Sequence, residues 1–100
     1  MKIDITKAAQ QWFQEELGLS EGSGIHFSGK VYGKTEVHEG FSVGMAVDKP
    51  GSNVMASTEV DGIVYYVNEG DDWFFNGYDL EVDYDSKRDE PIYHFHEQSA

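Results

Sequence analysis

From residue 25 onward, apolar and polar residues alternate along the chain in one segment after another. Successive side chains of a β-strand point to opposite faces of the sheet, so a period of two predicts half-buried strands. The segments with this period are residues 25–32, 41–47, 54–60, 63–67, 78–84 and 92–96. We expect the last of them to be an edge strand. A chain with this pattern must fold mainly as β-sheet.

A helical period occurs near the start of the chain instead. Thr6, a residue type that caps helix N-termini, follows a short alternating stretch at residues 3–5. Ala9 and Phe13 then begin an apolar stripe at four-residue spacing, which predicts a helix over residues 7–17. One helix before a run of strands must cover the sheet, not connect parallel strands.

Turn chemistry separates the later segments. Asp61-Gly62 between two alternating runs predicts a tight hairpin, because both residues tolerate positive φ in a type I′ turn. Asn68 is placed to cap a brief helix that includes Trp73. The sequence therefore predicts an α+β, mostly β fold of compact, twisted antiparallel or mixed sheets, with an N-terminal helix and one short second helix.

The aromatic side chains are expected to supply most of the core. This expectation covers Trp12, Phe13, Tyr65, Trp73, Phe74 and Phe75. Neighbouring residues of a strand face opposite ways. We therefore expect one member of each of the pairs Tyr65-Tyr66 and Phe74-Phe75 to be partly exposed as a contact surface.

Length and charge limit the class of protein. One hundred residues with 39% apolar side chains predict a single domain over residues 1–100, and no run is apolar enough to span a bilayer or to act as a signal peptide. The net charge is −12, and residues 51–100 carry two basic against twelve acidic groups. Such a field repels nucleic acid and anionic membranes. An acidic excess is typical of solubility, and the alternative is that it attracts a basic protein surface or a hard cation. We expect a cytoplasmic protein whose partner is another protein or a second copy of the chain.

The chain has no cysteine. Disulfides, thiolate nucleophiles, thiolate zinc sites and ordinary iron-sulfur ligation all need that sulfur, so each is excluded. No serine lies in a Gly-x-Ser-x-Gly elbow, and the glycines form neither a P-loop nor a Gly-x-Gly-x-x-Gly fingerprint. These patterns give no support for a hydrolase or a nucleotide-binding enzyme, and we predict that the protein is not an enzyme.

Histidine and carboxylate groups are the remaining candidates for a site. His94 and His96 share one side of the last predicted strand, and His38 could join them as a metal ligand, with His26 as a further candidate. A transition metal needs three or four convergent ligands, and the sequence brings together only two, so a surface histidine pair is the alternative. The carboxylates of residues 79–85 form a ladder along one strand face, which indicates a solvated surface more than a cation site.

Four segments carry a resemblance to a known family. They are Ile3-Asp4-Ile5-Thr6-Lys7-Ala8-Ala9, Gly40-Phe41-Ser42-Val43-Gly44-Met45-Ala46, Val60-Asp61-Gly62-Ile63 and Tyr78-Asp79-Leu80-Glu81-Val82-Asp83-Tyr84. Over nearly its whole length the chain resembles HesB-like domains, the family of A-type iron-sulfur carriers, and within it a cysteine-poor branch of Gram-positive bacteria. The resemblance implies a twisted β fold with flanking helices, often dimeric. Its cluster-carrying members bind iron or iron-sulfur centres through three cysteines and deliver them to apo-proteins.

The chain departs from that family at every ligand position. The family's first cysteine would lie between Val31 and Phe41, and its Cys-x-Cys pair would follow Tyr84, where this chain has Asp85-Ser86-Lys87-Arg88-Asp89-Glu90. No cluster ligand carries over, so iron or an iron-sulfur cluster is implied by family analogy alone and no cofactor is predicted. Three hypotheses remain, in this order: an accessory or protein-interaction module related to iron-sulfur biogenesis, a metal-ion binding protein that uses histidine and carboxylate ligands, and an unrecognised enzyme.

Overall fold

Strands dominate the part of the chain that the structure covers. The computed structural model describes residues 1–30 and 42–98. Along these residues the helices and strands are β1 (Ile3–Ile5), α1 (Lys7–Glu16), β2 (Gly24–Lys30), β3 (Ser42–Val47), β4 (Val54–Val60), β5 (Ile63–Asn68), a 3-10 turn (Glu69–Asp71), α2 (Asp72–Phe75), β6 (Tyr78–Asp85) and β7 (Glu90–Glu97).

One sheet contains strands from the beginning and from the end of the chain. Its order is β1-β6-β7, so β7 is an edge strand, as predicted. β1 runs parallel to β6, with Ile3 opposite Leu80, and β7 runs antiparallel to β6, with Phe95 opposite Leu80. Leu80 and its β6 neighbour Val82 are fully buried, because the alternation of this strand directs its apolar residues toward the core.

The other sheet has the order β3-β2-β5-β4. β2 pairs antiparallel with β3 and parallel with β5, so this sheet is also mixed. β4 and β5 form the predicted hairpin, and Asp61 and Gly62 have φ angles of 54° and 77°. Both central residues of the turn are therefore left-handed, as a type I′ turn requires.

Helix α1 begins where the sequence predicts. The side chain of Thr6 accepts a hydrogen bond from the Ala9 backbone N–H at 3.3 Å, which satisfies one of the free donors at the helix start. The helix ends before Gly18, whose φ of 62° is the left-handed conformation of a helix stop. Ala9 and Phe13 are buried against the sheets, so the four-residue stripe is the packing face.

The core holds most of the predicted aromatics, and two expectations about them were wrong. Trp73 is 52% exposed and lies outside the core. Both members of each aromatic pair are buried, whereas we expected one of each to be partly exposed. Phe74 and Phe75 lie on a helix, where neighbours differ by about 100° and can both face inward. Tyr66 points away from Tyr65, but its ring is covered by the stacked ring of His26.

The mostly β fold predicted from the sequence is confirmed. Two mixed sheets, the N-terminal helix and the short second helix are all present in the described residues. None of the helices described has the length and apolar character needed to cross a membrane.

Candidate functional site

The histidine pair and the carboxylate ladder share one face of the β1-β6-β7 sheet. His94 lies directly opposite Glu81, and His96 lies directly opposite Asp79. The His96 ring nitrogen Nε2 is 2.9 Å from Glu81 Oε1, at an exposed position. When His96 is protonated, a cross-strand pair of this kind offsets part of the repulsion between like charges along β6. The sequence did not show that the histidines lie beside the ladder.

Arg88 lies at the far end of the ladder, in the turn between β6 and β7. Its guanidinium lies 3.9 Å from Asp85 and 3.9 Å from Glu90, with three-quarters of the side chain exposed. Exposed pairs at this distance contribute little stability. The turn between β6 and β7 is therefore a solvated charged turn.

Asp83 connects the carboxylate ladder to helix α1. Its Oδ1 accepts hydrogen bonds from the Tyr84 backbone N–H and from the Thr6 hydroxyl, both at 2.8 Å. These two hydrogen bonds, with a smaller attraction from His94, hold the pKa of Asp83 below its ordinary value. The carboxylate is thus a structural connector between the sheet and the helix cap.

The predicted metal ligands that lie in the described residues, His94 and His96, do not form part of a metal-binding cluster there. His94 and His96 lie two residues apart on β7, and His38 falls outside the described residues. Within residues 1–30 and 42–98, no group of three or more histidine or acidic side chains converges to hold a metal ion. Metal binding by His94, His96 and His38 stays a prediction.

A second polar arrangement surrounds the 3-10 turn and α2. We call residues 69–73 the acidic turn, since its sequence is Glu69-Gly70-Asp71-Asp72-Trp73. Asp71 Oδ1 accepts a hydrogen bond from the Gly29 backbone N–H at 3.2 Å, and its Oδ2 is 3.6 Å from His26 Nε2. The carboxylate therefore ties the acidic turn to β2, beyond the point where β5 stops pairing with it.

His26 joins the acidic turn to the outer face of the β3-β2-β5-β4 sheet. Its ring stacks on Tyr66 with 5.1 Å between centroids and 9° between planes. Its Nε2 is also 3.4 Å from the Asn68 side-chain nitrogen. Through His26 the acidic turn is therefore connected to both β2 and β5.

The aromatic residues after the acidic turn divide between core and surface. Phe74 and Phe75 are fully buried, and Phe74 packs edge-on against Phe95 while Phe75 stacks on it. Trp73, in contrast, is 52% exposed. The Trp73 ring packs edge-on against Phe74, with centroids 5.5 Å apart. Sequence reasoning missed this surface. The available signal was the helical period, since three consecutive aromatics on a helix cannot all face one core.

The residues that follow Tyr84, where the family has its Cys-x-Cys pair, do not suit an iron-sulfur cluster. The residues after Tyr84 form the β6–β7 turn and offer carboxylate, hydroxyl, ammonium and guanidinium groups, without a thiolate. Arg88 and the acids there pair with one another. The segment at residues 31–41, where the first cysteine would lie, falls outside the described residues. We derive no chemistry through an iron-sulfur centre.

Solved structures with the same fold define the class. SufA of Escherichia coli, involved in biosynthesis of iron-sulfur clusters, superposes with a TM-score of 0.59 and 20% identity, over 100% of this chain and 89% of that one. IscA with its 2Fe-2S cluster superposes with a TM-score of 0.58 and 14% identity, over 98% of this chain and 86% of that one. The fold is therefore HesB-like, and likeness at this level of identity concerns the fold alone.

Sequence relatives define the family. A Bacillus subtilis protein named pyruvate dehydrogenase inhibitor is 36% identical over 95 residues, which span 95% of this chain and 99% of that protein. An uncharacterised Staphylococcus saprophyticus protein is 32% identical over 93% of this chain and 97% of its own length. No protein-family profile matches the chain. The chain belongs to the family of the Bacillus subtilis pyruvate dehydrogenase inhibitor.

Proposed function

We propose that this chain is a protein-binding regulator that inhibits pyruvate dehydrogenase. It acts by binding to the enzyme, in the cytoplasm, and it neither carries an iron-sulfur cluster nor catalyses a reaction. The HesB-like fold serves as a scaffold for an interaction surface, because the ligands that other proteins with this fold would use for a cluster have no counterpart in a chain without cysteine.

The observation that carries this proposal is the extent of the match to the Bacillus subtilis relative. The alignment spans 95% of this chain and 99% of the relative, so the two sequences correspond over nearly all of their aligned lengths. Whatever surface the relative uses lies within the region aligned. The net charge of −12 supports a partner with a basic surface.

A second candidate function is an accessory role in iron-sulfur cluster biogenesis. The similarity to SufA and IscA supports it, since the superposition covers 98–100% of the chain. In this role the chain would bind a component of the assembly machinery and not the cluster itself. The two candidates share the idea of an interaction module and differ in the partner.

The test is an activity measurement on purified Bacillus subtilis pyruvate dehydrogenase. Pyruvate oxidation is followed as the chain is added over a range of concentrations, from below to well above that of the enzyme. Escherichia coli SufA is the matched control, because it has the same fold with 20% identity. We expect saturable inhibition by this chain, reversed on dilution, and none by SufA.

Two results would contradict the proposal. If pyruvate oxidation is unchanged at saturating concentrations of the chain, the chain is not an inhibitor of this enzyme. If SufA inhibits equally well, the effect belongs to the fold or to nonspecific binding. Binding of the chain to purified iron-sulfur assembly proteins, with no effect on pyruvate oxidation, would favour the second candidate.

A further inference from the structure

We infer, on the basis of the function proposed above, that Trp73 and the carboxylates of the acidic turn form the surface on which an arginine-bearing segment of pyruvate dehydrogenase docks. The surface consists of the exposed indole, Asp72 next to it in the chain and Glu69 four residues earlier, and both acids are exposed as well. The occupant is a basic segment that places a guanidinium against the indole.

The indole is exposed on a rigid support. Phe74 and Phe75, the next residues of α2, are fully buried and anchor the helix in the core. Asp71, at the other end of the turn, is fixed to β2 through the Gly29 N–H and lies near His26. The edge-on contact with Phe74 also supports the Trp73 ring. A partner would therefore meet a pre-ordered surface, which lowers the entropy lost on binding.

Among the described residues, the other tryptophan, Trp12, is partly buried, and Trp73 is exposed. The large apolar side chains exposed there are Val47, Trp73 and Ile92. Tryptophan has the greatest apolar area of the three and is enriched among residues that dominate binding energy at protein interfaces. About half of the residue is exposed at 52%, and an intermolecular contact can cover that part.

The negative charge of the acidic turn favours a positively charged partner segment. Glu69, Asp71 and Asp72 stand within four residues of Trp73, and no lysine or arginine occurs between Gly51 and Ser86. The ion pairs that lysine or arginine makes within residues 1–30 and 42–98 involve Arg88 alone, so in this part of the chain no lysine or arginine pairs with the acidic turn. A second copy of this acidic chain would be repelled, whereas a basic segment would be attracted.

An arginine side chain can contact the indole and the carboxylates of this surface at the same time. Its planar guanidinium stacks on an indole face and donates hydrogen bonds to carboxylates in a fixed fork, whereas a lysine ammonium is a point charge. An apolar occupant would fill the indole contact and leave the carboxylates desolvated without partners. The combination of indole and carboxylates therefore favours an arginine-bearing segment.

The experiment compares two variants with matched controls, by measuring the affinity of each for immobilised pyruvate dehydrogenase. Trp73→Ala is compared with Val47→Ala. The control removes an apolar side chain that is 56% exposed at the end of β3, away from α2 in the chain. Asp72→Lys is compared with Glu59→Lys, which makes the same change in net charge at an exposed position on β4. Circular dichroism verifies that each variant is folded.

We expect Trp73→Ala to weaken binding by about 30-fold or more, the loss typical of a residue that dominates an interface. Asp72→Lys should slow association and reduce its dependence on salt, while the two controls bind as wild type does. If wild type binds and the Trp73 and Asp72 variants bind equally well, the docking surface is wrong and the proposed function stands. If wild type does not bind at all, the proposed function fails and this inference fails with it.

Discussion

The side chain of Thr6 has two partners that the sequence alone does not pair. It caps α1 by accepting the Ala9 N–H at 3.3 Å, and its hydroxyl donates to Asp83 on β6 at 2.8 Å. The helix start is thereby fixed to a sheet strand 77 residues away in the chain. Capping was predictable from residue type, whereas the partner depends on the parallel pairing of β1 with β6.

Thr6→Ala removes both hydrogen bonds. Loss of a threonine cap and of a hydrogen bond to a charged group together should lower the free energy of unfolding by about 1–2 kcal/mol. Urea denaturation monitored by circular dichroism measures the change. Thr6→Ser keeps the hydroxyl and should lie close to wild type. Equal stability of the alanine variant and wild type would show that the contact contributes nothing.

Asp83 gives the fold a dependence on acid pH. The Tyr84 N–H, the Thr6 hydroxyl and His94 lower its pKa below the ordinary value of 3.8, so the folded state favours the ionised form. The resulting stability is present above pH 3.8 and is lost as pH falls toward the folded-state pKa. Asp83→Asn should flatten this acid loss in urea midpoints measured between about pH 2 and pH 5. An unchanged slope would contradict the assignment.

Tyr93 gives a matching dependence at alkaline pH. Burial first, and then the charge of Glu90, raises the pKa of Tyr93 above its ordinary value of 10.0, because the fold disfavours the phenolate. The stability from this group is fully present below pH 10 and is lost as pH rises through the folded-state pKa. Tyr93→Phe keeps the ring that packs edge-on against Phe27 and removes the ionisation. Its alkaline unfolding, followed by circular dichroism, should occur at higher pH than that of wild type.

At the scale of elements, α2 depends on a glycine in the strand beneath it. A Cβ at Gly29 would lie 2.7 Å from two ring atoms of Phe74, which is fully buried and has no room to move. The absence of a side chain there lets α2 pack directly on β2. The same contact sets the position of Trp73, the next residue toward the N-terminus.

Gly29→Ala should therefore displace Phe74 and lower the free energy of unfolding by about 1–3 kcal/mol, the usual cost of overpacking. Gly70→Ala is the control within the acidic turn, since a Cβ at Gly70 would meet no atom within 4 Å. Urea denaturation measures stability, and tryptophan fluorescence reports the surroundings of Trp73. If the two alanine variants are equally stable, the contact with Phe74 does not constrain α2.

The strands and turns were largely predictable from the sequence, because alternation and turn chemistry act locally. The hairpin at Asp61-Gly62 was located to the residue, and β6 and β7 extend only one or two residues beyond the alternating segments. The pairing of β1 with β6 was not predictable, since it joins segments far apart in the chain. The sequence also did not show that His94 and His96 lie across from acids on β6, because the register between these two consecutive strands was not predicted.

The exposed surface at Trp73 was the main error at this scale. Aromatic composition was interpreted as core, although a brief helix was predicted here and three consecutive aromatics on a helix cannot all face one core. Burial of a short helix is decided by what packs against it. Here two phenylalanines suffice to anchor α2, and the third aromatic side chain is left for the surface.

At the scale of the whole molecule, a fold shared with iron-sulfur proteins is built from a chain without thiolates. Nothing in the packing of the two sheets requires a cluster, since the core consists of aliphatic and aromatic side chains. Fold and cluster binding are therefore separable, and a family with this fold can serve another purpose.

This separation predicts the result of a reconstitution experiment. The chain is incubated with iron and sulfide without oxygen, desalted, and analysed for iron, acid-labile sulfide and visible absorption, with Escherichia coli SufA as the comparison. We expect no stoichiometric iron or sulfide on this chain, because it has no cysteine. Stoichiometric iron with sulfide would mean that histidine or carboxylate groups, His94 and His96 among them, replace the thiolates.

The proposed function requires this HesB-like chain to bind pyruvate dehydrogenase directly, as one protein binds another. Titration calorimetry of the unmodified chain into the purified enzyme measures this directly, at low and at raised salt concentration. We predict saturable binding with a defined stoichiometry and an affinity that falls as salt is added, because the chain carries a net charge of −12. The absence of saturable binding at both salt concentrations would contradict the claim.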